Sequence, residues 1–230
     1  MLNIISTFYI SKYNSYLDKD RSKELEDCLI KNLKNPIVDS IHLFVDDKDA
    51  LRRLDEISNN SEKIFIISIG LKPKYNDFFN YIIENIQNEI CMITNADIYI
   101  HECEINLIKR LKKEKICYAL TRYEHDMSHP LIDTYCGSHD CYIFNSSFID
   151  KRIINKHTDF LQNVSGIETR IIKTFCNKGF RVYNPCRQIK IVHLHKTQLR
   201  NYSGNWCGLH RCGDWDYHRS SCWWVPPIII

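Results

Sequence analysis

No segment of this chain approaches the roughly 18 uninterrupted apolar residues that a membrane-spanning helix needs. The closing Trp223-Trp224-Val225-Pro226-Pro227-Ile228-Ile229-Ile230 is too short for that role and is expected to pack on the domain or touch a partner. The opening MLNIISTFYISKYN lacks a basic start followed by a long apolar stretch, because Asn3, Ser6 and Thr7 interrupt it. That argues against a secretory leader. A basic tract is missing too: the net charge is only +3 and the lysines are scattered. A nucleic-acid arm is therefore not expected, and Lys109–Lys115, with Ile108 and Leu111, reads as the solvated face of a helix. Repeats, low-complexity tracts and linkers are absent as well. Cysteine, by contrast, is plentiful. Its count of 11 is odd, and Cys28, Cys91, Cys117 and Cys176 sit in apolar runs, which suits buried free thiols in a reducing cytoplasm better than a disulfide framework.

What is present is alternation. Apolar runs at 3–10, 40–45, 63–69, 90–94, 115–121, 141–144 and 190–195 read as strands. Stretches with helical spacing at 22–33, 75–87, 104–113 and 168–177 lie among them, the first placing Leu25, Cys28, Leu29 and Leu33 on one face. Strands alternating with helices indicate a mostly parallel, doubly wound α/β sheet. With 230 residues and 44 % hydrophobic content, one domain to about residue 202 is expected, followed by a Cys/His/Trp-rich tail over 203–230 of unknown role.

The stretch CMITNADIYI (91–100) concentrates the chemistry. An apolar strand ends at Thr94, and Asn95 and Asp97 follow two apart, so they share a face at its carboxyl end. Ligands of open α/β sheets bind at such ends. A carboxylate there suits a hard divalent cation that bridges to phosphates. An Asn-Ala-Asp turn capping its own backbone is the other reading. His193 and His195 alternate along the last strand and face one way.

Four blocks carry a resemblance: KPKYNDFFNYI (72–82), ITNADIYIHE (93–102), ALTRYE (119–124) with SHDCYIFN (138–145), and YNPCRQIKIVHLHKTQLRNY (183–202). In this order and spacing they resemble the nucleotide-sugar glycosyltransferases of the GT-A (Rossmann-like) fold. The likeness is to small viral and microbial members in particular, among them a chlorella-virus rhamnosyltransferase domain. It implies a mixed, mostly parallel sheet flanked by helices. It also implies an Asp-x-Asp motif, here Asn95-Ala96-Asp97, whose neutral Asn95 departs from the pattern and is left to hold the ribose or a metal-bound water. Asp97 becomes the principal metal ligand. His193, in the context Ile191-Val192-His193, becomes a further ligand, with His195 as its alternate and Arg200 as a phosphate contact. Mn²⁺ fits a set of imidazole, carboxylate and phosphate oxygens, with Mg²⁺ the alternative.

In inverting members a general base lies at a helix start beyond the metal motif, and Glu168 stands there. Ser165-x-x-Glu168 is equally a capping box, so Asp140 is kept as holder of sugar hydroxyls or as the alternative base. Arg122, with Glu124, reads as a sugar or diphosphate contact or as a surface ion pair. Thr7 and Tyr9 end the first strand, where base and ribose sit in this fold. Asp46-Asp47, Tyr75 and Asp77 are further donor-binding candidates. Cys207, His210 and Cys212, with Asp214, His218 and Cys222, read as free side chains or as a zinc site.

The expected protein is thus a cytoplasmic, metal-dependent transferase that moves a sugar from a UDP-sugar to the hydroxyl of a glycan or other acceptor. A sugar nucleotidyltransferase is the rival, but it carries glycines in the loop after its first strand, and ISKYNSYLDKDRSK has none. A non-catalytic binding module is the second rival.

Overall fold

The computed structural model describes residues 1–12, 15–58, 61–128, 139–155, 157–162, 167–197, 199, 225 and 228–230. In chain order they form β1 (Leu2–Thr7), α1 (Asp18–Lys34), β2 (Val38–Val45), α2 (Lys48–Ser58), β3 (Ile64–Ser68), α3 (Tyr75–Asn85), β4 (Ile90–Thr94) and β5 (Ile98–Cys103). There follow α4 (Ile105–Leu111), β6 (Ile116–Leu120), β7 (Tyr123–Glu124), β8 (Cys141–Asn145), α5 (Ile167–Asn177), β9 (Arg181–Tyr183) and β10 (Ile189–His193). The main sheet has seven strands in the order β3-β2-β1-β4-β8-β6-β9. β8 runs antiparallel to β4 and β6, and every other neighbouring pair is parallel. This is the mostly parallel α/β sheet that the alternation implied, with the mixed strand direction that the resemblance implied.

The central strands β4, β8 and β6 are mostly apolar and buried at every position because both faces are covered. Ile90 and Met92 of β4, with Cys141 and Ile143 of β8, face a core closed by α1, α2 and α4. Cys91 and Ile93, with Tyr142 and Phe144, face a second core closed by α3 and α5. Successive side chains alternate between the two cores, as strand geometry requires. A fully buried Ile or Phe in either core contributes about 1.5–3 kcal/mol. Cys28, Cys91, Cys117, Cys141 and Cys186 are buried free thiols within this packing.

A second sheet, in the order β5-β10-β7, was not foreseen. β10 runs antiparallel to β5 and parallel to β7. The outer edge of β5 is covered by side-chain amides. Asn32 donates to the Ile98 carbonyl at 2.9 Å and accepts from the Ile100 N–H at 3.0 Å, and Asn35 donates to the Ile100 carbonyl at 3.1 Å. These bonds satisfy an otherwise open edge and tie α1 to the small sheet. Helix α2 and strands β5, β7 and β9 are additions to the elements read from sequence. β10 ends at His193, so His195 belongs to the segment after the strand and not to it. The C-terminal end docks where β9 leads to β10: Ile228 N–H donates to the Asn184 carbonyl at 3.0 Å, and Ile230 N–H to Gln188 Oε1 at 2.8 Å. The cysteines and histidines of the tail lie outside the described residues. No helix among the described residues is long and apolar enough to cross a membrane.

Candidate functional site at the tip of β4

β4 ends against a fixed frame. The Thr94 carbonyl accepts from Ser6 Oγ at 2.8 Å and from Gln162 Nε2 at 3.0 Å. The chain then turns through Asn95-Ala96-Asp97 into β5, so this tripeptide joins the main sheet to the small one. Asp97 is 9 % exposed, and His193, at the end of β10, is 5 % exposed. The register of β5 and β10 pairs His193 with Ile98, next to Asp97. Residues 96 apart in sequence thereby meet, with His193 Nε2 3.0 Å from Asp97 Oδ2. His195 Nδ1 lies 3.8 Å from the same oxygen, and the two imidazole centroids are 5.1 Å apart.

Hydrogen bonds set the ring tautomers. His195 Nε2 lies 2.7 Å from the Leu199 carbonyl, so it carries the proton and Nδ1 presents a lone pair toward Asp97. His193 Nδ1 is buried without a hydrogen-bond partner among the described residues, and the Glu124 carboxylate is 3.5 Å from it. A carboxylate behind an imidazole is the usual backing of a metal-binding histidine. One carboxylate oxygen with two imidazole nitrogens at 3.0 and 3.8 Å matches the spacing of neighbouring ligands that each lie about 2.0–2.2 Å from one ion. The donor atoms of Asp97, His193 and His195 all lie within 4.8 Å of one another, and this chemistry fits a divalent cation. Burial raises the Asp97 carboxyl, but His193 and Arg21 outweigh it and hold the group well below the usual carboxylate range. Burial, then the nearby Arg21 guanidinium, push the His195 imidazole down to about 4, so at neutral pH it is uncharged.

Arg21 is the residue that sequence reading missed. It stands in the first turn of α1, in helical phase with Leu25 and Cys28. A charged residue aligned with an apolar stripe was the available signal. Its Nη2 lies 2.5 Å from Asp97 Oδ2, and its Nη1 donates to Glu24 Oε2 at 3.0 Å and to the Leu194 carbonyl at 3.2 Å. Glu24, also unforeseen, accepts from the Thr197 N–H at 2.8 Å and from Thr197 Oγ1 at 3.0 Å.

The second half of the site is built around Asp140. Arg122 Nη1 donates to both carboxylate oxygens at 3.0 and 3.1 Å, and Asn95 Nδ2 to Oδ1 at 3.1 Å. Arg122 also reaches Glu124 at 3.3 Å, so it is a partly buried link between two carboxylates and not a surface ion pair. Asn95 here acts as a donor that holds Asp140. Glu168 opens α5, and Ser165, its capping-box partner in the sequence, lies outside the described residues. Burial pushes the phenols of Tyr75 and Tyr142 well above their ordinary range, and the Glu168 and Asp140 carboxylates add to this, so both acids stand near the same two rings.

The remaining candidates divide. Thr7 closes β1 beside Thr94, Asn95 and Ala96, and Tyr9 is near enough to Arg21 to act on its charge. Tyr75 is a core residue, 3 % exposed and edge-on to Phe78 and Tyr142. Asp77 accepts from the Lys74 backbone N–H at 2.7 Å and serves the start of α3. Asp47 is held by Lys12 at 2.6 Å and caps the Asp49 N–H at 2.8 Å. Arg200 lies outside the described residues.

No family model matches the chain, and neither does any curated protein. Solved structures do. A mannosyltransferase from Pyrobaculum calidifontis, in complex with GDP-Man and Mn²⁺, is similar with a TM-score of 0.53 and 11 % identity over 84 % of this chain and 56 % of that one. A protein assigned as a nucleotide-diphospho-sugar transferase, from Desulfovibrio desulfuricans, gives 0.52 and 8 % identity over 80 % and 78 %. One assigned as a glucose-1-phosphate thymidylyltransferase, from Bacillus anthracis, gives 0.51 and 8 % identity over 80 % and 87 %. At such identities the likeness establishes the fold, which is GT-A-like. The chain spans little more than half the length of the mannosyltransferase.

Proposed function

We propose that this chain is a metal-dependent glycosyltransferase that moves a sugar from a nucleotide-diphosphate donor, with UDP the expected nucleotide, to an acceptor hydroxyl. The observation that carries this reading is the convergence of His193 and His195 on Asp97 Oδ2 at the carboxyl end of the central strand. Asp97, His193 and His195 would hold the ion, Mn²⁺ or Mg²⁺, which when bound would supply Lewis-acid neutralisation of the leaving diphosphate. Thr7, Tyr9 and Asn95 border the donor, while Arg122 and Arg200 contact phosphate or sugar. Glu168 receives the acceptor hydroxyl proton as that oxygen attacks the anomeric carbon, and the bond to the diphosphate breaks with its electron pair leaving on the phosphate oxygen. Asp140 is the less suited base, because Arg122 and Asn95 already engage both of its oxygens.

Nucleotidyl transfer is the second reading, favoured by the likeness to the thymidylyltransferase fold. Against it stands a β1–α1 connection without glycine. The deciding experiment incubates the protein with a panel of nucleotide sugars in Mn²⁺ or EDTA and follows nucleoside diphosphate. Metal-dependent release of the diphosphate supports the proposal. Pyrophosphate release from a nucleoside triphosphate and a sugar 1-phosphate, with no donor hydrolysis, replaces it with nucleotidyl transfer.

A further inference from the structure

Arg21 occupies an unusual position for a guanidinium. It is 2 % exposed, and its Nε is buried without a partner among the described residues. Its Nη2 contacts Asp97 Oδ2, the same oxygen on which His193 Nε2 and His195 Nδ1 converge. The carboxylate therefore has a cation already built into the chain. A divalent ion on that oxygen meets a fixed like charge at close range in a poorly screened setting, so both cannot sit there without cost.

We propose that Arg21 is a tethered counter-ion that competes with the divalent cation for Asp97 Oδ2, and that loading the site moves the guanidinium off Asp97 and onto Glu24. This rests on the reading of Asp97, His193 and His195 as the cation site. Glu24 is the receiving group because it already accepts from Arg21 Nη1 at 3.0 Å. It also accepts from the backbone and side chain of Thr197, so it is anchored to the segment that follows His195. The Leu194 carbonyl, a second acceptor of Nη1, lies between the two histidines in sequence. The exchange makes the empty pair self-sufficient and raises the threshold for the ion alone. A diphosphate brings the negative charge that offsets the repulsion, so cation and nucleotide load together.

The test measures Mn²⁺ binding without nucleotide, by the loss of the free-ion paramagnetic resonance signal, on proteins checked for folding by circular dichroism. Arg21→Gln removes the charge and is expected to bind Mn²⁺ about tenfold or more tightly than the parent, whereas Arg21→Lys stays near the parent. The double variant Arg21→Gln/Glu24→Gln keeps the tightening, which excludes Glu24 as a newly recruited ligand. Equal or weaker binding in Arg21→Gln, beside measurable binding by the parent, overturns the inference and leaves the cation site standing. Failure of the parent and every variant to bind Mn²⁺, with or without UDP, overturns the cation site and the inference with it. A measurement on the parent alone guards against a variant that does not fold. With ¹⁵N-labelled arginine, adding Mg²⁺ and UDP shifts the Arg21 Nε–H signal, and an unmoved signal under saturating UDP contradicts the exchange.

Discussion

One buried histidine cluster lies within the main sheet, on β2, and another lies where β4 passes into the small sheet. In the first, His42 Nε2 is 2.7 Å from Ser40 Oγ and Nδ1 is 2.9 Å from the Tyr81 hydroxyl. Ser40 in turn donates to Asn3 Oδ1 at 2.5 Å, and Asn3 Nδ2 to the Ile90 carbonyl at 3.2 Å. Each of these side chains has a hydrogen-bond partner, none carries a formal charge at neutral pH, and the ring stacks on Phe65 with centroids 4.8 Å apart. In the second, His193 meets a carboxylate, a guanidinium stands beside it, and two buried nitrogens lack partners among the described residues. Both clusters bury imidazole to a similar depth. The first closes on itself and specifies packing. The second concentrates charge and leaves hydrogen-bonding capacity unused, which is costly unless another group completes it.

The largest expected effect is at Glu168, which stands near the same two tyrosine rings as Asp140. Glu168→Gln should lower donor-to-acceptor turnover by about 10²-fold or more with donor affinity and melting temperature near the parent's. Unchanged turnover would transfer the base role to Asp140. His42→Gln, at the neutral cluster, should leave turnover alone.

Next is Glu124→Gln, which removes the carboxylate behind His193. Mn²⁺ affinity, read calorimetrically with UDP present, should fall about tenfold. An unaltered affinity would show that Glu124 does not orient His193. Its counterpart is Tyr81→Phe, which deprives His42 Nδ1 of its donor. That change should cost about 1 kcal/mol in urea unfolding and leave nucleotide binding intact; a loss of UDP binding would erase the distinction between the clusters.

The last effect is on stability against pH, and no single residue carries it. Burial holds His42, His139 and His195 down to about 4, against about 6.5 in an unfolded chain. Between these values the unfolded state binds protons that the folded state refuses. The stability is therefore present above about pH 6.5 and is lost as pH falls toward 4. The melting temperature should decline through that window, and His42→Gln should flatten part of the decline. A melting temperature constant from pH 6.5 to 4 would contradict the buried, neutral assignment.

Much of the scaffold was legible because its strands are continuous apolar runs, and the place of Asn95 and Asp97 followed from where one such run stops. The small sheet was not, since β5, β7 and β10 pair across long sequence separations that local periodicity does not encode. Helix α2 escaped notice although Ala50, Leu51, Leu54 and Ile57 recur at helical spacing and pack on the first core, because the charged residues between them mask the stripe. Arg21 is hard to see in the sequence because an apolar stripe is defined by its apolar members, and a charged residue in phase with Leu25 and Cys28 adds nothing to it. His193 was legible as a candidate, but its partners were not, because Glu124 and Arg21 reach it only through the completed topology.

The most direct measurement is isothermal titration of UDP into the protein with Mn²⁺ and with EDTA, for the parent and for Asp97→Asn, which keeps the shape of the side chain and a hydrogen bond to Arg21. The account predicts Mn²⁺-dependent UDP binding in the parent and its loss in Asp97→Asn, with both proteins folded. Equal UDP affinity in the two proteins, or binding indifferent to Mn²⁺, would contradict it.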